Sequence, residues 1–240
     1  MRLSQYLSAA GVCSRRRASQ WINDGRVSVN EQVADQHTRV ASGDIVHVDG
    51  QVITLPDTYS YVIYNKPVGV DCNCRADNPA SIINHLPLPM RLFPVGRLDK
   101  DSHGLLLLTN DGVLCERLLS PDTYHPKTYH VQVRPHRGMP DINLDFKQRM
   151  QQGVDLDGLL TRPCQVTLLG PNRFEIVLTQ GLNRQIRRMA RALGYHVTDL
   201  QRTQLVHLTL RGLSVGQHRP LTADECASLL SLRNRPPTTR

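Results

Sequence analysis

The stretch GRLDKDSHGLLLLTND, residues 96–111, decides how this chain reads. Leu105, Leu106, Leu107 and Leu108 form an unbroken apolar run, expected to be a buried strand. Gly96 and Gly104 bracket Arg97, Asp99 and Asp101, so the charged residues belong to a tight loop feeding that strand. Loops held by rigid strands commonly carry catalytic groups. A carboxylate beside a core strand is costly unless it is paired. Spacing alone leaves two readings open: a self-satisfied charge cluster, or a working site.

The segment QGLNRQIRRMARALGYHV, residues 180–197, supplies a partner. Gly181 precedes an expected helix that Gly194 ends. Ile186, Met189, Ala190 and Leu193 recur at helical spacing and form its core face. Arg184, Arg187, Arg188 and Arg191 repeat on the opposite side. At about 100° per residue, Arg187 lies nearest the apolar boundary. One arginine can therefore turn inward to a buried carboxylate while three remain for phosphates; the competing reading is a wholly solvated basic face. In KTYHVQV, residues 127–133, Tyr129, Val131 and Val133 share one strand face. A tyrosine there is either core or, at the edge of that face, a platform on which a base can stack.

The 240 residues carry a net charge of +8, with 25 arginines and only four lysines. Arginine makes planar bidentate contacts with phosphate and stacks on bases, so the bias points to nucleic acid. An arginine-favouring codon usage accounts for the same composition, which leaves position to decide. No apolar run approaches the roughly 20 residues of a membrane span. The start, MRLSQYLSAAGVCSRRR, is too polar for a secretory signal. Six scattered cysteines without a CxxC pair argue against zinc and suit a reducing, cytoplasmic compartment. Neither a metal nor a cofactor is expected.

At the N-terminus, Leu3, Leu7 and Ala10 recur at helical spacing and Gly11 stops the helix. Ser14 can cap a second helix with Ala18, Trp21 and Ile22 on its apolar face and Gly25 just past its end. RVSVN and GDIVHVDG then alternate as strands. Arg15, Arg16 and Arg17 open the second helix, where positive charge opposes the helix dipole. A phosphate-binding surface is a reason to keep them there. QVITLPDTYS reads as a linker, YVIYNKPVGV as the first strand and turn of a second domain, and RNRPPTTR as a frayed tail. The expected domains are 1–55, 59–232 and a tail at 233–240. Strands outnumber helices without regular alternation, so the fold class is α+β.

RLSQYLSAAGVCSRRRASQWINDGRVSVN followed by GDIVHVDG resembles the S4-type RNA-binding domain, a small helix-helix-strand unit. PVGRLDKDSHGLLLLTNDG, KTYHV, GLNRQIRRM and NKPVG resemble four motifs of the RsuA-type pseudouridine synthases, in the family's order and spacing. The wording of residues 180–197 with the LQRT that follows is similar to the F-type branch acting on large-subunit ribosomal RNA. The resemblance implies a larger catalytic domain with a mixed, largely antiparallel sheet, flanking helices and a central cleft. It implies isomerisation of uridine to pseudouridine in ribosomal RNA without a cofactor, with transfer RNA as a second candidate substrate; a monomer is the default expectation. It makes Asp99 the catalytic residue, Tyr129 the packer on the target base and Arg187 the partner of Asp99. Arg97 and Lys66, in two of the motifs, are expected at the substrate. Arg15, Arg16, Arg17, Arg184, Arg188 and Arg191 are expected on the RNA backbone. Ser102, Asn110 and the cysteines after NKPVG depart from the family wording. Two other readings compete: a non-catalytic ribosome-assembly factor, and a metal-dependent nuclease using Asp99, Asp101 and Asp111.

Overall fold

A computed structural model describes residues 1–86, 88 and 90–234, with side chains through 232. The expected tail at 233–240 falls outside the described residues from 235 onward. The chain forms two compact units. The first gathers Met1–Ser60 together with Leu88–Phe93 and Thr109–Gly112, two segments that the sequence reading assigned to the second domain. Hydrogen bonds tie both back: Asn110 Oδ1 accepts from the Ser60 amide at 2.8 Å, and Arg91 donates to the carbonyl of Cys13.

The first unit contains helices α1 (Leu3–Ala9) and α2 (Arg15–Asn23) and strands β1 (Val27–Val29), β2 (Gln32–Val33), β3 (Val46–Val48) and β4 (Gln51–Ile53). The strands form an antiparallel sheet in the order β2-β1-β3-β4. Ser14 caps α2 by accepting the Arg17 amide at 3.2 Å, as Ser at an N-cap should. Leu3, Leu7, Ala18, Ile22, Val27 and Val46 close the core. Arg15, Arg16 and Arg17 remain exposed.

The second unit runs through β5 (Tyr61–Lys66), α3 (Ile82–His85), β6 (Phe93–Pro94), β7 (His103–Thr109), α4 (Gly112–Leu119), β8 (Lys127–Pro135) and α5 (Leu144–Gln152). It continues with β9 (Asp155–Leu156), β10 (Leu159–Leu160), β11 (Gln165–Gly170), β12 (Arg173–Leu178), α6 (Gln185–Ala192), β13 (Tyr195–Leu205), β14 (Leu208–Thr209), β15 (His218–Pro220) and α7 (Ala223–Asn234). Its main sheet runs β11-β12-β8-β13-β7-β5-β15. β13 pairs antiparallel with β8 and parallel with β7, so the sheet is mixed and mostly antiparallel. Leu105–Leu108 are no more than 2% exposed, because β7 is buried on both faces.

Gly104 makes the parallel junction possible. Its φ is +103°, and a Cβ there would stand 2.3 Å from the Arg202 carbonyl oxygen. Any other residue would push β7 away from β13 at the mouth of the leucine strand. Two apolar clusters fill this unit. One joins α5 and α6 to β8, β12 and β13 through Phe146, Met150, Phe174, Ile176, Met189 and Val197. The other joins α4 and α7 to β5 and β7 through Leu114, Leu118, Leu229, Ile63, Leu105 and Leu107.

Helix α7 begins with a reciprocal cap. Thr222 Oγ1 accepts the Glu225 amide at 3.3 Å, and Glu225 Oε2 accepts the Thr222 amide at 2.9 Å. Arg219 adds two bonds to the same carboxylate, at 2.7 and 2.8 Å. These contacts, led by Arg219, pull the buried Glu225 carboxyl down to about 2 from its ordinary 4.5. Because the folded value lies below the unfolded one, the unfolded chain takes up the proton first. The stabilisation is complete above the ordinary value and is lost as pH falls towards about 2. Glu225→Gln should cost about 3 kcal/mol at neutral pH and flatten the acid limb of stability; urea unfolding of both proteins between about pH 6 and pH 2 measures this. Parallel acid limbs in the two proteins would contradict the assignment.

Candidate active site

The loop ahead of β7 is held from three sides. Within it, the Ser102 amide donates to the Asp99 carbonyl at 3.0 Å, turning the chain sharply. From the NKPVG turn, the Gly69 amide donates to the Lys100 carbonyl at 2.8 Å. Behind Leu98, whose amide points to Cys72 Sγ at 3.4 Å, the wall is apolar. The third side is α6.

α6 begins at Gln185, later than the Gly181 boundary suggested, because Arg184 adopts a left-handed conformation (φ +46°) just ahead of it. That conformation is uncommon for a residue with a Cβ, and Arg184 is fastened in place by its contacts. Its Nη1 and Nη2 donate to the two carboxylate oxygens of Asp101 at 3.1 and 2.8 Å. The same Nη1 stands 3.6 Å from Asp99 Oδ2. Arg187 is the inward-turned arginine, with its side chain 13% exposed against 43% for Arg184. Its Nη2 donates to the Asp101 carbonyl at 2.8 Å and to Ser102 Oγ at 3.2 Å, and its Nη1 to the Val197 carbonyl at 3.1 Å. Burial pushes the Arg187 guanidinium below its ordinary value, opposed by the charge of Asp101. Bonding to Arg184 holds the Asp101 carboxyl below its own.

This corrects the expected pairing of Arg187 with Asp99. The ion pair to Asp99 comes from Arg184, an arginine expected on RNA phosphates, while Arg187 binds Asp101 and the loop backbone. The reason is that the turn of residues 99–102 presents its carbonyls and Asp101 to the side of α6 from which Arg187 projects. Asp101 therefore absorbs two guanidinium groups. The Asp99 side chain stays 31% exposed, with Arg184 at 3.6 Å as its ion-pair contact.

Asp99 lines a cleft of about 550 Å³ in the second unit, within the range of small-ligand sites. Tyr129, Lys127, Arg162, Arg184, Arg202 and Leu200 share its walls. Tyr129 is half-buried on β8, directly opposite Arg202 of β13. Ser102 also lines the cleft, and Arg97 stands at its rim, 74% exposed and 3.7 Å from Asp71. Lys66 does not line it, which corrects its expected place at the substrate. The side chain is fully buried, and Nζ donates to the carbonyls of Pro67 and Val70 at 2.9 and 2.7 Å. Burial pushes its ammonium below the ordinary value. Lys66 thus closes the NKPVG turn that supports the Asp99 loop.

Arg188 bonds to exposed Asp157 at 2.7 Å, and Arg191 is exposed on the far side of α6. In the first unit, Arg16 and Arg17 border a shallow depression with Trp21, over which the Arg17 and Arg26 guanidiniums lie at 5.6 and 4.9 Å from the ring centre. Lys127, Arg162 and Arg202 were missed as site residues. A signal existed for two of them: Lys127 lies two residues before Tyr129 on the same strand face, and Arg202 interrupts the buried row of β13 that contains Leu200.

The roles of the two helix arginines are separable by stability. Arg187→Ala removes three hydrogen bonds from a nearly buried site and leaves carbonyls unsatisfied; it should destabilise the protein by about 2–4 kcal/mol. Arg184→Ala, at an exposed position, should cost about 1 kcal/mol or less. Denaturant midpoints rank the two, and an Arg184→Ala loss equal to that of Arg187→Ala would contradict the division.

Comparison with known proteins bears on this cleft. A family model described as RNA pseudouridylate synthase matches residues 60–192, and the S4 domain model matches residues 1–46. The chain is 40% identical over 238 residues to the dual-specificity RNA pseudouridine synthase RluF of Escherichia coli strain K12, covering 97% of this chain and 79% of that protein. It is 34% identical over 240 residues to the ribosomal large subunit pseudouridine synthase B of Bacillus subtilis strain 168, covering 96% of each. Among solved structures, a pseudouridylate synthase superposes with a TM-score of 0.70 at 27% identity, over 95% of this chain and 99% of that one.

Proposed function

The chain belongs to the RNA pseudouridylate synthase family, and from that premise we propose that Asp99 is the carboxylate that isomerises uridine to pseudouridine in large-subunit ribosomal RNA. The observation that carries the assignment is the division of labour between the two carboxylates. Asp101 is saturated by Arg184 and Arg187, while Asp99 lines the cleft with a partly exposed side chain. A carboxylate that holds a loop together cannot leave its partners to react.

In the proposed reaction the bond between C1′ of the ribose and N1 of the base breaks, the base turns, and a bond from C1′ to C5 forms; C5 loses its proton and N1 takes one up. Atoms and oxidation state balance without a co-reactant. Asp99 serves either as a nucleophile or as the base that moves a proton. A uridine in folded RNA must leave its stack to reach the cleft. Tyr129 then lies against the extruded base, where stacking contributes roughly 1–3 kcal/mol. Arg184 supplies a positive charge beside the reacting carboxylate. The exposed Arg15, Arg16 and Arg17, with Trp21 beside them, suit an RNA backbone and an unpaired base. The names of the two relatives support ribosomal RNA as substrate and a second RNA, taken to be transfer RNA, as an addition. This reading also places the enzyme in the cytoplasm, as a monomer. Among the described residues no helix is long and apolar enough to cross a membrane.

Two measurements test the reading. Wild-type protein incubated with a large-subunit ribosomal RNA transcript should form pseudouridine, and Asp99→Asn should lower the rate by at least about 10³-fold while still binding the RNA; an active Asp99→Asn enzyme would refute the role. Replacing Arg15, Arg16 and Arg17 by glutamine should weaken RNA binding and make log Kd depend less steeply on log salt, by roughly two to three units if each arginine meets a phosphate. An unchanged slope would remove that cluster from the interface.

A further inference from the structure

We propose that Lys127 and Arg202 form a phosphate subsite inside the cleft, taking one backbone phosphate of the RNA beside the uridine on which Asp99 acts. This rests on the function proposed above and adds a binding site to it.

The guanidinium of Arg202 is the most deeply buried charge on the cleft wall: the residue is 2% exposed. Its Nε donates to the Leu105 carbonyl at 2.7 Å. Its Nη2 is buried with no hydrogen-bond partner among the described residues. No carboxylate of the described residues lies within ion-pairing distance of Arg202, in contrast with Arg184, Arg187 and Arg188 in the same unit. Lys127, also on the cleft wall, donates from its ammonium to the His125 carbonyl at 3.2 Å and likewise has no ion pair among the described residues. The two cations sense each other: burial first, and then the charge of Arg202, push the Lys127 ammonium below its ordinary value.

Burying a charge without a counter-charge is expensive, and placing a second like charge nearby adds to the cost. At Arg184, Arg187 and Arg188 a carboxylate meets that cost. Here an anionic ligand would. A uracil carbonyl could accept one bond but carries no charge to offset two cations. A phosphate diester carries one negative charge and two free oxygens, enough for both donors. Position favours a phosphate of the reacting strand. Arg202 lies directly opposite Tyr129 across the β13–β8 pair, and Lys127 lies two residues before Tyr129 on β8. An RNA whose uridine is stacked on Tyr129 has its adjoining sugar-phosphate within reach of the same wall.

The test uses the full chain with Asp99→Asn to prevent turnover, and a large-subunit ribosomal RNA transcript in which the wild-type enzyme forms pseudouridine. Kd is measured across a range of salt concentrations. Lys127→Gln should weaken binding and make the slope of log Kd against log salt shallower, by up to about one unit, while Lys127→Arg should restore it. Arg202→Gln should act in the same direction, and the double variant should exceed either single change only slightly, because both serve one phosphate. Circular dichroism verifies folding; if Arg202→Gln fails to fold, Lys127→Gln and its arginine rescue decide the matter. An unchanged slope in folded Lys127→Gln overturns the subsite. So does a variant that keeps the slope but loses preference for uridine over cytidine, which would make these residues readers of the base. If wild-type protein forms no pseudouridine in any ribosomal RNA transcript, the function proposed above fails first, and that outcome is visible before any variant is made.

Discussion

Everything at the candidate site depends on the clamp between α6 and the turn of residues 99–102. Arg184 and Arg187 together make three hydrogen bonds to Asp101, one to Ser102 and one to the Val197 carbonyl on β13. Such charge-assisted bonds are directional, so they fix the orientation of the turn as well as its position. With Asp101 committed to the clamp, the neighbouring Asp99 is held at the cleft wall without being consumed by it. The two carboxylates are two residues apart in sequence and do opposite jobs because one faces a helix and the other faces a cavity.

The second constraint is backbone proximity. β7 and β13 run parallel and meet at Gly104 and Arg202, where no side chain fits on the glycine. That junction brings the end of the charged loop, the leucine strand and Arg202 to one point. Lys66, from a distant motif, reinforces the same point indirectly by closing the turn whose Gly69 amide holds Lys100. Four motifs spread along the chain thus converge, and only some of their members touch the cleft. The others hold the backbone that does.

Electrostatics gives the cleft its character. Arg162, Arg184, Arg202 and Lys127 all contribute to its walls, with Asp99 as the ionisable acid among them. A concave surface with this charge balance concentrates a polyanion at its mouth before any specific contact is made. On the proposed function, a flipped nucleotide brings a neutral base for Tyr129 to stack upon and charged phosphates for the cations to hold.

Much of this was legible in the order of residues. The leucine run, the helix of residues 185–192 and its inward Arg187, the cap at Ser14 and the exposed arginines of α2 all follow from local periodicity and capping, because those rules act between near neighbours. The motifs also carried the family. What local rules could not supply was which arginine meets which carboxylate. Arg184 stands just ahead of α6 and Arg187 in its first turn, and the choice between them rests on the left-handed turn at Arg184 and on the direction of carbonyls in a loop more than 80 residues away. Lys66 was misplaced for the same reason, since a motif position does not say whether an ammonium faces a ligand or its own turn. Lys127 and Arg202 entered the site through strand pairing between β8 and β13, a contact spanning some 70 residues of chain that only tertiary structure decides. Sequence by itself determined the leucine strand, the faces of α2 and α6, and the family. Folding decided the partners, because hydrogen bonds and ion pairs depend on ångström-scale positions in space that spacing along a chain does not encode.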